Sequence, residues 1–188
     1  TVSGHRIYFS NKEGLFRFDV ISGELKKICA SAHYTDKDWL ENSYAILPFN
    51  GSLWLGNQQG LSLLPGDELP YTAFQTSFDG SNVTLNHCYH LLPKNDSVIY
   101  ICSSDGLYKM NTCNSVLKKI DGSQVYYQLI HCPDGNIIAS GEKNIKLISG
   151  NNVINAIEKY SELSLIQNDF IIASASFHDS LFFLASQL

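Results

Sequence analysis

The tightest grouping of side chains able to bind a metal or move a proton is His87, Cys88 and His90. Zinc needs such nitrogen and sulfur donors converging on one point, but on a β-strand His87 points opposite to Cys88 and His90. That spacing favours packing and hydrogen bonding along an inner strand over a metal site. Asp36 and Asp38 share a face if extended, yet no second acid or base is tied to them by spacing, so they read as a solvated loop. His131, just before Cys132-Pro133-Asp134-Gly135, reads as the cap of a hairpin. Five cysteines, at 29, 88, 102, 113 and 132, form no CxxC pair and leave one over, which suits neither a disulfide framework nor a zinc site. Cys88 and Cys102 lie equally far on either side of residue 95. A hairpin turning there would set them opposite one another, though spacing alone does not establish bond geometry. Gly-x-Ser-x-Gly, phosphate-binding glycine loops, His-Glu-x-x-His and calcium loops are all missing from the sequence, which removes four common marks of an enzyme. No catalytic residue, metal or cofactor is therefore expected.

Composition describes the body that would carry any site. The 188 residues hold 13 Lys+Arg against 18 Asp+Glu, a net charge of −5, with 44% hydrophobic residues. That is one packed domain. An acidic balance without a Lys/Arg block argues against nucleic acid and anionic membranes, which need clustered positive charge. No apolar run approaches the ~18 residues of a membrane helix. The first residue is Thr1, so a targeting segment removed, or a piece of a longer chain, is expected.

The strongest signal is an internal repeat. Ile7-Tyr8-Phe9-Ser10 with Gly14-Leu15-Phe16, Leu53-Trp54-Leu55-Gly56 with Gly60-Leu61-Ser62, and Ile99-Tyr100-Ile101-Cys102 with Gly106-Leu107-Tyr108 align, their glycines 46 residues apart. A weaker unit, Ile137 to Ser140 with Asn144-Ile145-Lys146, follows, and Leu181 to Ala185 lies within a fifth. A glycine at positive φ between two strands explains the position, and Asn144 is the ordinary residue best able to replace it. Asn50-Gly51, Asn95-Asp96, Asp134-Gly135 and His178-Asp179 stand just before the aromatic strands as turns. Apolar runs at Tyr44 to Phe49, His87 to Leu92, Tyr126 to Cys132 and Phe170 to Phe177 precede them, and a short run such as Leu117 to Ile120 follows. Each unit thus has four strands. The second reads as nearly continuous hydrophobe, so both its faces are covered, which places Tyr8, Trp54 and Tyr100 in the core. Only Val153 to Leu165 has a pattern that could pass for a helix.

Four antiparallel strands in about 40 to 50 residues are the signature of a β-propeller blade. The fold class is all-β, with about four blades present from a larger ring of about six to eight. Residues 1–30 form a partial blade, 31–75, 76–122 and 123–158 three whole ones, and 159–188 begin another. A small closed ring would leave Leu181 to Leu188 as a surplus apolar edge; in an incomplete one that edge pairs with another chain or is disordered.

Asn50-Gly51-Ser52-Leu53-Trp54-Leu55-Gly56-Asn57-Gln58-Gln59-Gly60-Leu61 resembles the two-component-regulator propeller repeat: a turn, a Leu-Trp-Ile-Gly-Thr-like strand, loop residues, then Gly-Leu. Gly14 to Asp19 and Gly106 to Asn111 are similar to its second half, and Trp39 to Ile46 and Leu85 to Leu91 to its lead-in. Tyr8, Tyr100 and Ile138 replace the tryptophan. The resemblance implies the extracytoplasmic, periplasmic sensor of a membrane-bound hybrid histidine kinase, tuned to a glycan or oligosaccharide and working as a homodimer. It implies a sensing segment that is not itself an enzyme; no kinase, receiver or DNA-binding motif is legible in these residues.

In a propeller, the loops leading into the first strand of each blade and those joining its second to its third gather on one face around the channel. They hold Tyr34, Trp39, Phe78, Asp79 and Asn82, and Asn57 and Gln58, respectively. Aromatic faces beside amides and carboxylates are what a sugar site needs. Packing between blades for Trp39, and of Phe78 onto its own loop, is the competing reading. A protein-interaction propeller, with a charge-patterned rim and no small-molecule pocket, and a polysaccharide lyase or hydrolase, with acids converging in the channel mouth, are the alternatives.

Overall fold

The computed structural model describes residues 1–28, 43–66, 85–142 and 144–166, together with the backbone of 72–74, 170–177 and 181–187. Its described strands form five antiparallel sheets taken up in chain order. Sheet 1 holds β1 (Val2–Ser3), β2 (Arg6–Asn11), β3 (Gly14–Asp19) and β4 (Leu25–Ile28). Sheet 2 holds β5 (Ala45–Phe49), β6 (Ser52–Asn57), β7 (Gly60–Pro65) and β8 (Thr72–Phe74), and sheet 3 holds β9 (Cys88–Asn95), β10 (Val98–Ser103), β11 (Gly106–Asn111) and β12 (Val116–Asp121). Sheet 4 holds β13 (Tyr126–His131), β14 (Ile137–Gly141), β15 (Ile145–Ser149) and β16 (Asn152–Asn155), and sheet 5 pairs β17 (Phe170–Phe177) with β18 (Leu181–Gln187). Each is a simple meander, every strand bonded to its neighbour in sequence.

The 46-residue period is the period of one hairpin. Asn11 pairs with Gly14, Asn57 with Gly60 and Ser103 with Gly106, closing the second strand onto the third through two residues. The three glycines have φ of 133°, 132° and 140°, a region that strains any side chain. The residue before each turn helps to hold it: Asn11 Oδ1 accepts from the Glu13 N–H and Asn57 Oδ1 from the Gln59 N–H, each at 2.8 Å. In the fourth unit Asn144 stands at the glycine position beside Lys143, which lies outside the described residues.

Sheets stack face to face, and parity along the second strand sorts the core between them. Leu53 and Leu55 of β6 join Tyr8, Leu15 and Ile28 of sheet 1, while Trp54 turns to Ile99, Ile101 and Tyr108 of sheet 3. Tyr100 and Cys102 of β10 meet Ile137, Ala139 and Ile148 of sheet 4. The whole of β10 and β14 is buried as a result, and Tyr8, Trp54 and Tyr100 are core residues. The first strands run side by side, β9 lying against β5 and β13, and β13 against β17. Because they are edge strands, β5 and β9 tolerate Pro48 and Pro93. Gly56 is where two sheets nearly touch: a Cβ there would sit 2.7 Å from both Cβ and the carbonyl oxygen of Cys88.

Among the described residues nothing packs on one face of sheet 1. Ile7 and Phe9 hold the positions that Leu53 and Leu55, or Ile99 and Ile101, use to pack on the preceding sheet. In sheet 1 that face carries Phe9, 41% exposed, stacked on Phe16 at 5.5 Å between centroids. Among the described residues the chain is a run of propeller blades that do not close into a ring. The Val153 to Leu165 stretch proves to be β16 followed by two short 3-10 turns, Ala156–Glu158 and Ser161–Leu165. The second turn is followed by sheet 5, and Lys159 and the Tyr160 hydroxyl, which lie between the two, are tied to the Asp134 carboxylate. No helix among the described residues is long and apolar enough to cross a membrane.

Three sequence expectations are corrected by register. Cys88 pairs with Ser103 and Cys102 with His90, so the two cysteines do not face one another; both are free thiols, as are Cys113 and Cys132. The hairpin turns at Asp96-Ser97, with Asn95 paired to Val98, and not at residue 95. A bulge at Tyr89 separates Cys88 from His90: Cys88 packs towards sheet 2, whereas His90 Nδ1 accepts the Leu129 N–H of sheet 4 at 3.1 Å. His87 precedes β9 with φ of 44°, so the His87, Cys88 and His90 cluster is spread over three directions. His131 does not cap its hairpin. Asp134 does so through the Asn136 N–H, while His131 Nε2 reaches the Pro93 carbonyl of sheet 3 at 2.9 Å.

Candidate functional site

The bulge that parts Cys88 from His90 recurs. In β9 it falls at Tyr89, in β13 at Tyr127 and in β17 at residue 172, each in the first strand of its sheet and near that strand's start. A bulge re-aims the extra side chain out of the ladder and is a frequent device beside sites. Here it turns out one tyrosine from each of two neighbouring sheets, and their rings meet at 5.0 Å between centroids. Tyr44, whose N–H opens sheet 2 by bonding the Gly56 carbonyl, continues the row at 5.6 Å from Tyr89. It is 50% exposed. The His87 ring lies 6.2 Å from that of Tyr89.

Polar groups border this row at the same end of the sheets. The Tyr127 hydroxyl donates to Glu142 Oε1 at 3.2 Å. The His87 N–H donates to the Gln58 carbonyl at 3.1 Å, and the His87 carbonyl accepts from the Ser104 N–H at 3.2 Å. His87 therefore laces the β6–β7 turn to the β10–β11 turn. Beyond Glu142 a cavity of about 290 Å³ opens, walled by Asp105, Ser123, Gln124 and the Ser104 turn. Partial burial pushes the Tyr89 phenol above its ordinary value, with Tyr44 and Glu142 adding to it. Burial, then the Glu142 charge, pushes Tyr127 up to about 12. Both stay neutral donors across the physiological range. Three flat aromatic faces, phenolic hydroxyls, one carboxylate and an amide-bearing turn can stack on a ring and hydrogen-bond its hydroxyls.

Of the residues singled out from sequence, Gln58 is exposed on this rim. Asn57 is 1% exposed and its side chain serves the turn, because the same amide that suits a sugar also suits an Asx turn. Tyr34, Trp39, Phe78, Asp79 and Asn82 lie outside the described residues. Tyr44, Tyr89 and Tyr127 were not foreseen. Their signal was a tyrosine within a residue or two of the start of the first strand in three successive units, hidden within the apolar runs that marked those strands.

Asp105 and Asp121 do structural work nearby. Asp105 takes hydrogen bonds from Ser103 and from the Tyr108 hydroxyl, each at 2.5 Å, with Lys119 at 3.4 Å. Asp121 accepts from Ser123 and from the Tyr126 hydroxyl. Although burial works against it, these hydrogen bonds hold the Asp121 carboxyl below its usual range.

No protein-family model matches the chain, and a search of curated proteins finds no match. Solved structures do match in fold. The extracellular domain of BT3049 from B. thetaiotaomicron, assigned to a hybrid two component system, superposes with a TM-score of 0.75 at 13% identity, over 98% of this chain and 25% of that one. The extracellular domain of BT4673 from the same organism gives 0.77 at 13% identity, with the same two coverages. The WD40 propeller of Doa1 gives 0.65 at 14% identity, over 98% of this chain and 58% of that one. The chain spans about a quarter of the length of the two B. thetaiotaomicron domains. What is shared is the fold: this chain is a run of β-propeller blades.

Proposed function

We propose that these blades belong to a non-catalytic, ligand-sensing propeller on the extracytoplasmic side of a membrane-bound two-component receptor, and that the ligand is a glycan or oligosaccharide. The observation that carries the reading is the row Tyr44, Tyr89 and Tyr127, one ring from each of three successive sheets, beside Glu142. The resemblance of residues 50–61 to the two-component-regulator repeat and the fold of the B. thetaiotaomicron domains support the setting. Signalling then follows from a ligand that binds one arrangement of two receptor chains better than another.

The open face of sheet 1 belongs to the same proposal. A further sheet of the same repeat, lying outside these residues, covers Ile7 and Phe9 as sheet 1 covers Leu53 and Leu55. Denatured and native mass spectrometry of the protein purified from its source tests this: a subunit well above 21.0 kDa is expected, and a monomer of that mass refutes it.

The ligand is tested by titrating the chain with a panel of neutral oligosaccharides, using calorimetry, alongside Tyr89→Ala and Tyr127→Ala. Loss of a stacking ring should weaken binding by about tenfold or more, with no turnover of the glycan. A protein-interaction scaffold is the second reading, favoured by the likeness to the WD40 propeller of Doa1. It predicts no saccharide binding by the wild-type chain.

A further inference from the structure

The opposite end of the same sheets carries positive charge that the fold does not require. Across sheet 3, Tyr100 pairs with Lys109, and Lys109 with Lys118, a row that shares the face turned towards sheet 4. Lys94 joins it from β9, its ammonium 5.8 Å from the Tyr100 ring and 3.5 Å from the Gly150 carbonyl. Lys109 and Lys118 line a cavity of about 230 Å³ together with Tyr100, Ile120, Ile148 and the Gly150–Asn151 turn. Among the described residues none of the three lysines has a carboxylate partner, whereas Lys119 and Lys159 do.

The cost of this arrangement is local. Like charges directly opposite on neighbouring strands repel, and the equivalent rows of other sheets show that the blade can be built without them. In sheet 2 the row is Trp54, Leu63 and Thr72, and in sheet 4 it is Ile138, Leu147 and Ile154. In sheet 1 the cationic row recurs as Tyr8, Arg17 and Lys26, each 92 residues before its counterpart. The cations are thus a property of alternate blades and not of the fold.

We infer that the cleft between sheets 3 and 4 at the Gly150–Asn151 end binds the anionic group of a small organic ligand, the oxyanion held between Lys109 and Lys118 and its ring or alkyl body lying along Tyr100, Ile120 and Ile148. Opposite lysines on paired strands lie close enough for both ammonium groups to reach one oxyanion, and an anion there removes the repulsion between them. The volume falls below the range of drug-sized pockets, so the occupant is of monosaccharide size. The site stands at the other end of the sheets from the tyrosine row and does not depend on the reading given to that row.

The test uses the purified 188-residue chain at low ionic strength, titrated with sulfate, phosphate and glucuronate, with glucose as the neutral probe, followed by amide chemical shifts. At least one anion is expected to bind and to move the Gly150–Asn151 amides, with glucose inert and affinity falling at least fivefold as sodium chloride is raised to 0.2 M. A tetrahedral preference favours a sulfated or phosphorylated ligand, and preference for glucuronate a carboxylate; both uphold the site. Lys109→Met combined with Lys118→Met should weaken binding at least tenfold, while its melting temperature without anion stays at or above that of wild type. Should that pair fail to fold, Lys118→Gln alone is expected to lose at least threefold. Tyr89→Ala should bind the anion as wild type does. No anion binding up to 20 mM, or binding unchanged in the foldable lysine variant, overturns the inference.

Discussion

Acidification should unfasten sheet 3 from sheet 4 through one histidine. His90 is partly buried, and its Nδ1 accepts the Leu129 N–H at 3.1 Å, so the ring is neutral with its proton on Nε2. Burial lowers its pKa from 6.5 to about 4. Between those values the unfolded chain binds a proton that the folded chain refuses, so stability is complete above about 6.5 and is lost as pH falls towards 4. Linkage over that gap gives about 3 kcal/mol in all, of which about 2 kcal/mol is gone on moving from pH 7.5 to pH 5. Asp19 and Asp121, also held low, titrate in the unfolded chain near 3.8 and contribute little above pH 5. Urea unfolding at pH 7.5, 6.5, 5.5 and 5.0, on wild type and His90→Gln, isolates the effect from every other titrating group. The variant is less stable at pH 7.5, having lost a hydrogen bond between sheets, but its stability should change by about 2 kcal/mol less across the series. Parallel pH curves would refute the assignment of a partly buried, neutral His90.

Further substitutions separate the roles of residues that look alike in sequence. Gly56→Ala, placing a methyl against Cys88, should cost about 1–3 kcal/mol in urea unfolding. Gly106→Ala should cost at least as much, since its φ is 140° and its Cβ would run into the Asp121 carbonyl, whereas a methyl at Gly56 is opposed by packing alone. Leu55→Ala should lose about 2–5 kcal/mol, but Phe9→Ala, at the same repeat position on the open face, under about 1 kcal/mol in the 188-residue chain. In a longer polypeptide that supplies the covering sheet, Phe9→Ala should rise to the cost of Leu55→Ala, and an unchanged value there would count against the further blade.

The parts legible in sequence were those that every unit repeats. Glycine at a positive φ has one cause, so the 46-residue spacing located three hairpins and, with the continuous hydrophobe of Leu53 to Leu55 and Val98 to Cys102, the stacking of sheets on both sides. Composition alone cannot see a bulge. Reading Cys88, Tyr89 and His90 with strict alternation placed Cys88 and His90 on one face, and the extra residue at Tyr89 reversed that. The same kind of shift turned Tyr89 and Tyr127 out of the ladder into a shared aromatic surface. Asn57 misled for another reason, because its amide is spent on the Gln59 N–H and the turn needs it whatever the protein binds.

The division between what repeats and what departs also says where function should be sought. A blade needs the glycine, the two-sided second strand and the turn amides, and those positions are occupied in unit after unit. The bulged tyrosines at one end and the lysine row at the other satisfy no such need: sheet 2 pairs β5 with β6 in unbroken register, and sheets 2 and 4 place Leu63 and Leu147 where sheet 3 has Lys109. If these departures only filled space, Tyr127→Leu and Lys109→Leu would leave every binding measurement unchanged while stability held or rose. If they serve ligands, each should weaken a different one: the saccharide for Tyr127, the anion for Lys109. A chain in which both substitutions weakened both ligands equally would instead point to a general loosening of the contact between sheets 3 and 4, and the two sites would have to be withdrawn together.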